Sequence, residues 1–210
     1  NIWIDCDPGI DDAIALAAAA ASSDVLNIHG ISTVAGNQTI ERVTNNALAL
    51  SSFLHLDVPV VKGAEGPLTR QKEDAGHVHG ETGLGNTVLP KTDKQVESGN
   101  AFQIIRDHIM NLAEDEKMTL VPVGPLTNIA LLLKVFPEVA EKIERIVLMG
   151  GGTFGNRTPT AEFNIWGDPE AAKIVFDSEL PIVMCGLDVT HASGLDRAQV
   201  EAMYNSSNQT

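Results

Sequence analysis

Apolar runs rich in β-branched residues alternate with segments of helical periodicity along this chain. The strand-like runs are Ile2 to Cys6, Val25 to Val34, Val58 to Val61, Met118 to Val123, Ile143 to Met149 and Leu180 to Cys185. The helical patterns are Asp11 to Ala21, Thr39 to Leu54, Asn100 to Leu112, Leu126 to Phe136 and Asp168 to Phe176. Since strand and helix patterns follow one another repeatedly, the sequence predicts an α/β fold with a largely parallel central sheet flanked by helices.

The length and composition fit one domain. The chain has 210 residues, 43% of them hydrophobic, which is enough to bury a sizeable core in a single α/β domain spanning residues 1–210. One stretch rich in Gly, His and Thr, from Lys62 to Asn86, is too long for a simple connector. We expect it to form a loop at the edge of a site.

Four aspartates within eight residues are the strongest chemical signal in the chain. They stand between the first strand pattern and the first helix pattern, in the segment Ile4-Asp5-Cys6-Asp7-Pro8-Gly9-Ile10-Asp11-Asp12-Ala13. Asp5 and Asp7 are two apart on an extended segment, so their side chains leave the same face. Asp11 and Asp12 open a helix near its positive end. Like charges this close raise one another's pKa unless a positive charge lies among them.

This segment therefore predicts a site for a hard divalent cation with oxygen ligands at the carboxyl end of a strand. The alternative interpretation, that an aspartate merely caps the helix, accounts for one carboxylate and not for four. Other polar or Gly-rich segments at strand ends should converge on the same crevice. These segments are Ala35-Gly36-Asn37, Val123-Gly124-Pro125, Gly150-Gly151-Gly152 and Gly186-Leu187-Asp188.

The charge balance argues against several classes of partner. With 14 basic and 28 acidic residues, the net charge of −14 repels phosphate backbones and anionic membranes, so we expect neither nucleic-acid nor membrane binding. No apolar run approaches the roughly 20 residues that span a bilayer. The two cysteines, Cys6 and Cys185, lie in apolar strand patterns, which favours buried thiols over a disulfide and predicts a cytoplasmic protein.

Several motifs, taken in order, resemble those of the inosine-uridine-preferring nucleoside hydrolases, a family of calcium-dependent N-ribohydrolases. The matching segments are Asp5-Cys6-Asp7-Pro8-Gly9-Ile10-Asp11-Asp12-Ala13, Val34-Ala35-Gly36-Asn37-Gln38-Thr39, His77-Val78-His79-Gly80, Gly124-Pro125-Leu126-Thr127-Asn128-Ile129-Ala130, Met149-Gly150-Gly151-Gly152 and Ala161-Glu162-Phe163-Asn164. They fall between Ile2 and about His191. The resemblance implies a Rossmann-like fold of the nucleoside hydrolase type.

The resemblance also implies roles for individual residues. Calcium ligands are implied at Asp7, Asp12 and the main-chain carbonyl of Val123. Asp7 also matches the general base that acts on the attacking water, and Asp5 matches a supporting carboxylate behind the ligands. The groups implied to hold the ribose hydroxyls are Asp11, Asn37, Asn156, Glu162 and Asn164. Val78 and His79 match a loop near the base pocket.

These residue types suit the implied chemistry. Breaking an N-glycosidic bond passes through an oxocarbenium-like cation, which carboxylates and amide oxygens around the sugar stabilise while they hold its hydroxyls. Calcium accepts up to about eight oxygen ligands, so it can bind a diol and a water together with the protein groups. Glu162 and Asn164 are two apart, and in an extended segment they would aim the same way.

The leading hypothesis is the calcium-dependent hydrolysis of ribonucleosides to ribose and a free purine or pyrimidine base, by a homo-oligomer such as a dimer or tetramer. One alternative is a truncated, non-catalytic module that binds calcium and ribose. Another is a haloacid-dehalogenase-like phosphatase, whose Asp-x-Asp also ends a first strand. Gly9 and the tandem Asp11-Asp12 count against that alternative.

The end of the chain carries an expectation of its own. Members of the family are longer, and the resemblance places a further calcium-ligating aspartate and a histidine near the leaving base in their C-terminal part. We therefore expect this domain to be C-terminally incomplete. The last residues, from Tyr204 to Thr210, form a polar stretch without a strand pattern.

Overall fold

The computed structural model describes residues 1–71, 82–85 and 87–206. Its described residues contain one six-stranded sheet in which every neighbouring pair of strands is parallel. The strands are β1 (Ile2–Cys6), β2 (Ile28–Thr33), β3 (Val60–Lys62), β4 (Met118–Pro122), β5 (Ile143–Met149) and β6 (Ile182–Cys185). Their spatial order is β3-β2-β1-β4-β5-β6. The predicted α/β fold with a parallel central sheet is confirmed.

Helices connect the strands. They are α1 (Ile10–Ala21), α2 (Ile40–Phe53), α3 (Ala101–Met110), α4 (Thr127–Val135), α5 (Phe163–Gly167), α6 (Pro169–Phe176), α7 (Leu187–Thr190) and α8 (Arg197–Tyr204), with a 3-10 helix at Pro137–Lys142. The side chain of Thr39 caps α2 and that of Asn100 caps α3, each by accepting a backbone N–H of the first turn. The predicted helix patterns that begin at these two residues therefore start one residue too early.

The two faces of the sheet bury different residues because side chains alternate along a strand. On one face, Trp3 packs in the same core as Ile105 of α3 and Ile129 of α4. On the opposite face, Ile4 packs with Leu16 of α1 and with residues of α2. Helices thus cover both faces of β1, and the strand lies at the centre of the molecule.

The strand order places a crevice at the carboxyl end of β1. From β1 the chain winds outward through β2 and β3 on one side and through β4, β5 and β6 on the other. Such a reversal of winding direction opens a crevice beyond the strand ends, where α/β proteins bind their ligands. The aspartate segment follows β1 directly, so it lies at this position.

One local prediction was wrong. Glu162 and Asn164 were expected in an extended segment, but Glu162 caps α5 and Asn164 lies within that helix. The reason is local, because the Glu162 carboxylate accepts the N–H groups of Asn164 and Ile165 and so starts a helical turn. The structure also contains a helix that the sequence patterns did not predict, α8, which begins with a capping box formed by Asp196 and Gln199 and ends at Tyr204.

Strand boundaries and cysteines complete the comparison with the sequence. The predicted run from Val25 becomes a strand only at Ile28, because the Ser22 carbonyl accepts the N–H groups of Val25 and Leu26 in a turn. Cys6 is buried and Cys185 half-buried, and both are free thiols. In the described part of the chain, no helix is long and apolar enough to cross a membrane.

Candidate active site

Three of the four clustered aspartates point into the protein. Asp5 lies on β1, Asp7 follows the strand, and Asp12 lies in the first turn of α1. Their exposed fractions are 0%, 1% and 4%. Asp11, in the same turn, is exposed. The strand-to-helix turn therefore gathers three carboxylates in the interior and leaves the fourth at its surface.

Asn37 connects two of these carboxylates. Its backbone N–H donates to Asp7 Oδ2 at 2.6 Å, and its Nδ2 donates to the Asp7 carbonyl at 3.1 Å and to Asp12 Oδ2 at 3.3 Å. The Gly9 N–H also donates to Asp12 Oδ2, at 3.0 Å. The structure thus brings Asn37 beside Asp7 and Asp12, as the motifs predict, and leaves one oxygen of each carboxylate unused.

The unused oxygens are the most informative feature of the site. Asp5 Oδ2, Asp7 Oδ1 and Asp12 Oδ1 are buried and have no hydrogen-bond partner among the residues that the structure describes. A buried carboxylate oxygen without a partner is costly, because it has lost water and gained nothing in exchange. Such oxygens on neighbouring carboxylates suit a hard cation that takes oxygen ligands.

The pKa values of the same carboxylates agree with this interpretation. Burial raises the pKa of Asp5 to about 7, against the opposing hydrogen bonds from Asn128 and Ser32. Burial, and after it the charge of Asp11, raises the pKa of Asp12 to about 7. Burial and the charge of Asp12 raise the pKa of Asp7 well above its usual range. Without a positive charge among them, these groups favour the protonated form near neutrality, and a bound cation reverses that preference.

The backbone comes close to Asp7 at two glycines. A Cβ on Gly36 would lie 2.2 Å from Asp7 Oδ2, and a Cβ on Gly124 would lie 2.6 Å from Asp7 Oδ1. Neither distance is compatible with a side chain. The loops after β2 and β4 therefore need glycine where they close around the Asp7 carboxylate.

The predicted ribose-binding groups of the 150–164 region lie at the ends of β4 and β5. Asn164 Nδ2 donates to the Val123 carbonyl at 3.0 Å and to the Met149 carbonyl at 3.1 Å. Val123 in turn donates its N–H to the Asp5 carbonyl at 2.8 Å. These bonds join Asn164 and the predicted carbonyl ligand to the strand that carries the aspartates.

Glu162 and Asn156 occupy the same region. Glu162 is buried, and its Oε2 accepts the N–H groups of Gly151 and Ile165, each at 2.9 Å. The exposed Asn156 accepts the Phe163 N–H at 2.8 Å. Both side chains thus order the loop between β5 and α5, and their contact with a sugar stays a prediction.

Two further parts of the predicted site are the loop near the base pocket and the set of cation ligands. Val78 and His79, together with His77, lie outside the described residues. In the ranges 1–71, 82–85 and 87–206, no group of three or more His, Cys, Asp and Glu side chains could hold a metal ion by itself. The predicted ligand set consists of two carboxylates and a main-chain carbonyl, and it stays a prediction.

The sequence assigned no role to two residues that contact the cluster. Asn128, in the first turn of α4, donates to Asp5 Oδ1 at 2.7 Å, and Ser32 of β2 donates to the same oxygen. Asn128 lies within one of the quoted motifs, so its position after β4 was a usable signal. Ser32 lies in a strand pattern and carried no signal, because only the pairing of β2 with β1 brings it to Asp5.

These features define a doubly wound α/β protein with an acidic, oxygen-rich site at its central crevice. The sequence model of the family described as inosine-uridine preferring nucleoside hydrolase matches residues 2–210. The chain belongs to this family.

Named relatives agree with this membership. The chain is 52% identical over 202 residues to the pyrimidine-specific ribonucleoside hydrolase RihA of Shewanella sp. (strain MR-4). The matched region covers 95% of this chain and 63% of that protein. The chain is 52% identical over 196 residues to the non-specific ribonucleoside hydrolase RihC of Salmonella paratyphi B, covering 93% and 63%. The family assignment decides against the haloacid-dehalogenase-like alternative.

Solved structures give the same result. A purine-preferring ribonucleoside hydrolase from Gardnerella vaginalis superposes with a TM-score of 0.83 at 36% sequence identity, over 92% of this chain and 63% of that one. The chain therefore spans less than two thirds of the length of each of these three proteins.

Proposed function

We propose that this chain carries the calcium and ribose site of an enzyme that hydrolyses the N-glycosidic bond of ribonucleosides, releasing ribose and a free base. One observation carries the proposal. Asp5, Asp7 and Asp12 follow one another at the carboxyl end of β1, in a fold whose relatives are named ribonucleoside hydrolases, and each has a buried carboxylate oxygen without a partner among the described residues. Because those relatives are named for pyrimidine-specific, non-specific and purine-preferring enzymes, the proposal leaves the base open.

The proposed cation ligands are the free oxygens of Asp7 and Asp12 and the carbonyl of Val123. All are hard oxygen donors, which suits Ca²⁺ and disfavours Zn²⁺, an ion that prefers nitrogen and sulfur ligands. When bound, calcium supplies positive charge that favours the ionised carboxylates and lowers the pKa of a coordinated water.

Asp7 is the proposed general base. Its Oδ2 is fixed by the Asn37 N–H at 2.6 Å, so its orientation is set before substrate binds. Its Oδ1 has no protein partner and can accept a proton from the attacking water. Because Gly36 and Gly124 pack against the two oxygens, the carboxylate has little room to rotate.

The ribose is proposed to lie over this carboxylate cluster. Asp11 and Asn37 flank Asp12 and would bind the 2′ and 3′ hydroxyls, whereas Asn156, Glu162 and Asn164 would bind the hydroxymethyl side. Carboxylates and amide oxygens around the ring stabilise the positive charge that develops on the sugar as the bond to the base breaks. In this arrangement the protein acts mainly on the sugar.

The test has two measurements on the purified protein. Elemental analysis is expected to find calcium, and the release of reducing sugar from uridine or inosine is expected to show hydrolysis, with RihA as the positive control. Asp12→Asn should lose both, because it replaces a ligand. Asp177→Asn should lose neither, because Asp177 is an exposed residue that follows α6 and pairs with Lys173.

The outcomes separate the alternatives. Calcium binding without sugar release would support the alternative of a non-catalytic module that binds calcium and ribose. Protein that binds no calcium would contradict the proposed cofactor. Assembly as a dimer or tetramer and a cytoplasmic location are further proposals, checked by light scattering and by cell fractionation.

A further inference from the structure

We propose that Asn128 is a positioning residue that orients the Asp5 carboxylate behind the cation site, an inference that rests on the proposed calcium site. Asn128 is the second residue of α4 and has an exposed fraction of 0%. Within the described part of the chain, its amide hydrogen-bonds Asp5, Thr33 and Ala64 and none of the predicted cation or ribose ligands. Its effect on the site would therefore pass through Asp5 and through the strand ends that it joins.

The amide of Asn128 binds three separate segments. Its Nδ2 donates to Asp5 Oδ1 on β1 at 2.7 Å and to the Thr33 carbonyl at the end of β2 at 2.9 Å. Its Oδ1 accepts the Ala64 N–H, just after β3, at 2.8 Å. One side chain thus ties together the carboxyl ends of three neighbouring strands.

The orientation of this amide is fixed by its partners. The Thr33 carbonyl can only accept a hydrogen bond, and the Ala64 N–H can only donate one. The nitrogen must therefore face Thr33 and Asp5, and the oxygen must face Ala64. If the amide were flipped, its oxygen would face two acceptors, Asp5 Oδ1 and the Thr33 carbonyl, and its nitrogen would face the Ala64 N–H, which is a donor. The positions of the amide nitrogen and oxygen therefore follow from the hydrogen-bond network.

The backbone at Gly63 packs closely against the Asn128 amide and holds it in this orientation. A Cβ on Gly63 would lie 2.4 Å from both Oδ1 and Nδ2 of Asn128. The Gly63 N–H also donates to the Thr33 carbonyl at 3.0 Å. The chain after β3 therefore packs directly on the amide plane, and a side chain at residue 63 would displace it.

A second chain of hydrogen bonds converges on the same Asp5 oxygen. The Trp3 indole N–H can only donate, and it donates to Ser32 Oγ at 3.0 Å. The Ser32 hydroxyl proton is then directed to Asp5 Oδ1. Asp5 Oδ1 receives two donors while Oδ2 receives none from the described residues, so Asn128 and Ser32 determine which oxygen of Asp5 is left without a partner.

Groups that hydrogen-bond the ligands of a metal fix the orientation of those ligands, and losing such a group typically weakens metal binding by about 10-fold to 100-fold. Asn128 acts one contact further back, through Asp5, so we infer a loss at the lower end of this range for Asn128→Leu, which has the shape of asparagine but no donor or acceptor. Asp5 would lose one of its two donors, and the ends of β1, β2 and β3 would lose their common link.

Thr127→Val is the matched control. Thr127 is also buried, also in the first turn of α4, and its hydroxyl donates to Asp168 Oδ2 at 2.7 Å. The substitution removes one buried hydrogen bond at constant shape, but the bond does not involve the aspartate cluster. It should lower the melting temperature and leave calcium affinity unchanged.

The experiment measures the calcium dissociation constant by isothermal titration calorimetry, and the melting temperature by circular dichroism, for the wild type and both variants. The expected result is a dissociation constant raised about tenfold or more in Asn128→Leu and unchanged in Thr127→Val. If Asn128→Leu fails to fold, Asn128→Ala takes its place, since the vacated space admits a water.

Three results would overturn the role of Asn128. An unchanged dissociation constant in the Asn128 variants would show that the residue acts on stability alone. An equal loss of calcium affinity in Thr127→Val would show that any weakening of α4 loosens the site. Wild-type protein that binds no calcium would contradict the proposed function first, and the role of Asn128 at a cation site with it.

Discussion

Stripping divalent cations from the protein should make its stability depend on pH in an unusual direction. Most buried carboxylates are paired, so proteins usually gain stability as the pH rises above about 4. Here Asp5, Asp7 and Asp12 are buried together, and burial raises the pKa of each. The metal-free protein should therefore lose stability as the pH rises.

The sign and the size follow from the pKa values. For Asp5 and for Asp12 the pKa rises from 3.8 to about 7, which is about three units each. Between these limits the folded protein still holds protons that the unfolded chain has released, so the free energy of unfolding falls as the pH increases. One pKa unit corresponds to about 1.4 kcal/mol, so a single carboxyl accounts for a loss on the order of 4 kcal/mol. That is a large share of the roughly 5 to 15 kcal/mol that stabilises a typical protein.

Urea unfolding at several pH values between about 5 and 8 measures this effect. The protein is first passed over a chelating resin, and each curve is recorded with and without added calcium. The stripped protein should unfold at progressively lower urea as the pH rises. Added calcium should restore stability most at the highest pH, because it binds the ionised carboxylates. Asp5→Asn, which cannot titrate, should show a shallower dependence.

Two results would refute this reasoning. Stripped protein whose stability stays constant or increases from about pH 5 to about pH 8 would show that the carboxylates ionise in the folded state without cost. An equal increase in stability on adding calcium at about pH 5 and at about pH 8 would show that the cation does not compete with protons at this site.

Three further predictions concern the site itself. Asp7→Asn should lower turnover by roughly 10²-fold to 10⁴-fold in steady-state kinetics, as expected for loss of a general base, while Asp177→Asn keeps it; an active Asp7→Asn variant would reassign the base. Gly36→Ala should abolish calcium binding in calorimetry, whereas Gly99→Ala, which strains a backbone at φ 130° just before α3, should lower only the melting temperature; calcium binding by the first would contradict the close packing. In competition assays, 2′-deoxyuridine should bind far more weakly than uridine, because buried polar groups would lose a hydroxyl; equal binding would argue against the ribose site.

The sheet could be predicted because most of its strands are largely apolar runs. The runs Ile2 to Cys6 and Ile143 to Met149 agree with β1 and β5 at both ends. Strands that are covered on both faces are mostly apolar, so the pattern and the structure share a cause. The aspartate cluster could be predicted because four carboxylates within eight residues are more than helix capping requires.

Short helices could not be predicted from the sequence patterns, because their ends depend on side-chain contacts rather than on periodicity. α5 has five residues, too few for a helical pattern, and it forms because Glu162 caps it and because Asp168 and Pro169 begin the next helix. The capping bonds are local, but the same Glu162 carboxylate also accepts the N–H of Gly151, 11 positions away. Nothing in the neighbouring sequence records that bond.

The hydrogen bond between Asn128 and Asp5 could not be predicted from the sequence either, because the two residues are far apart in the chain. Asn128 and Asp5 are separated by 123 positions, and their hydrogen bond exists only because β1 and β4 are neighbours in the sheet. In the sequence analysis, Asp5 is a supporting carboxylate whose partners are unknown. In the structure it is the point where Asn128, Ser32 and Trp3 converge.

The arrangement around Asp5 and Asp7 explains how the fold tolerates an acidic interior. Each carboxylate has one oxygen fixed by protein donors and one oxygen without a partner. The fixed oxygens hold the carboxylates in place at the crevice, whereas the free oxygens make the empty arrangement costly. A cation at this position relieves that cost, and its binding free energy then adds to the stability of the fold. The same free oxygens would bind the cation and accept the proton from water, so stability and the proposed catalysis depend on one set of atoms. Variants that improve metal-free stability at these positions should therefore weaken calcium binding.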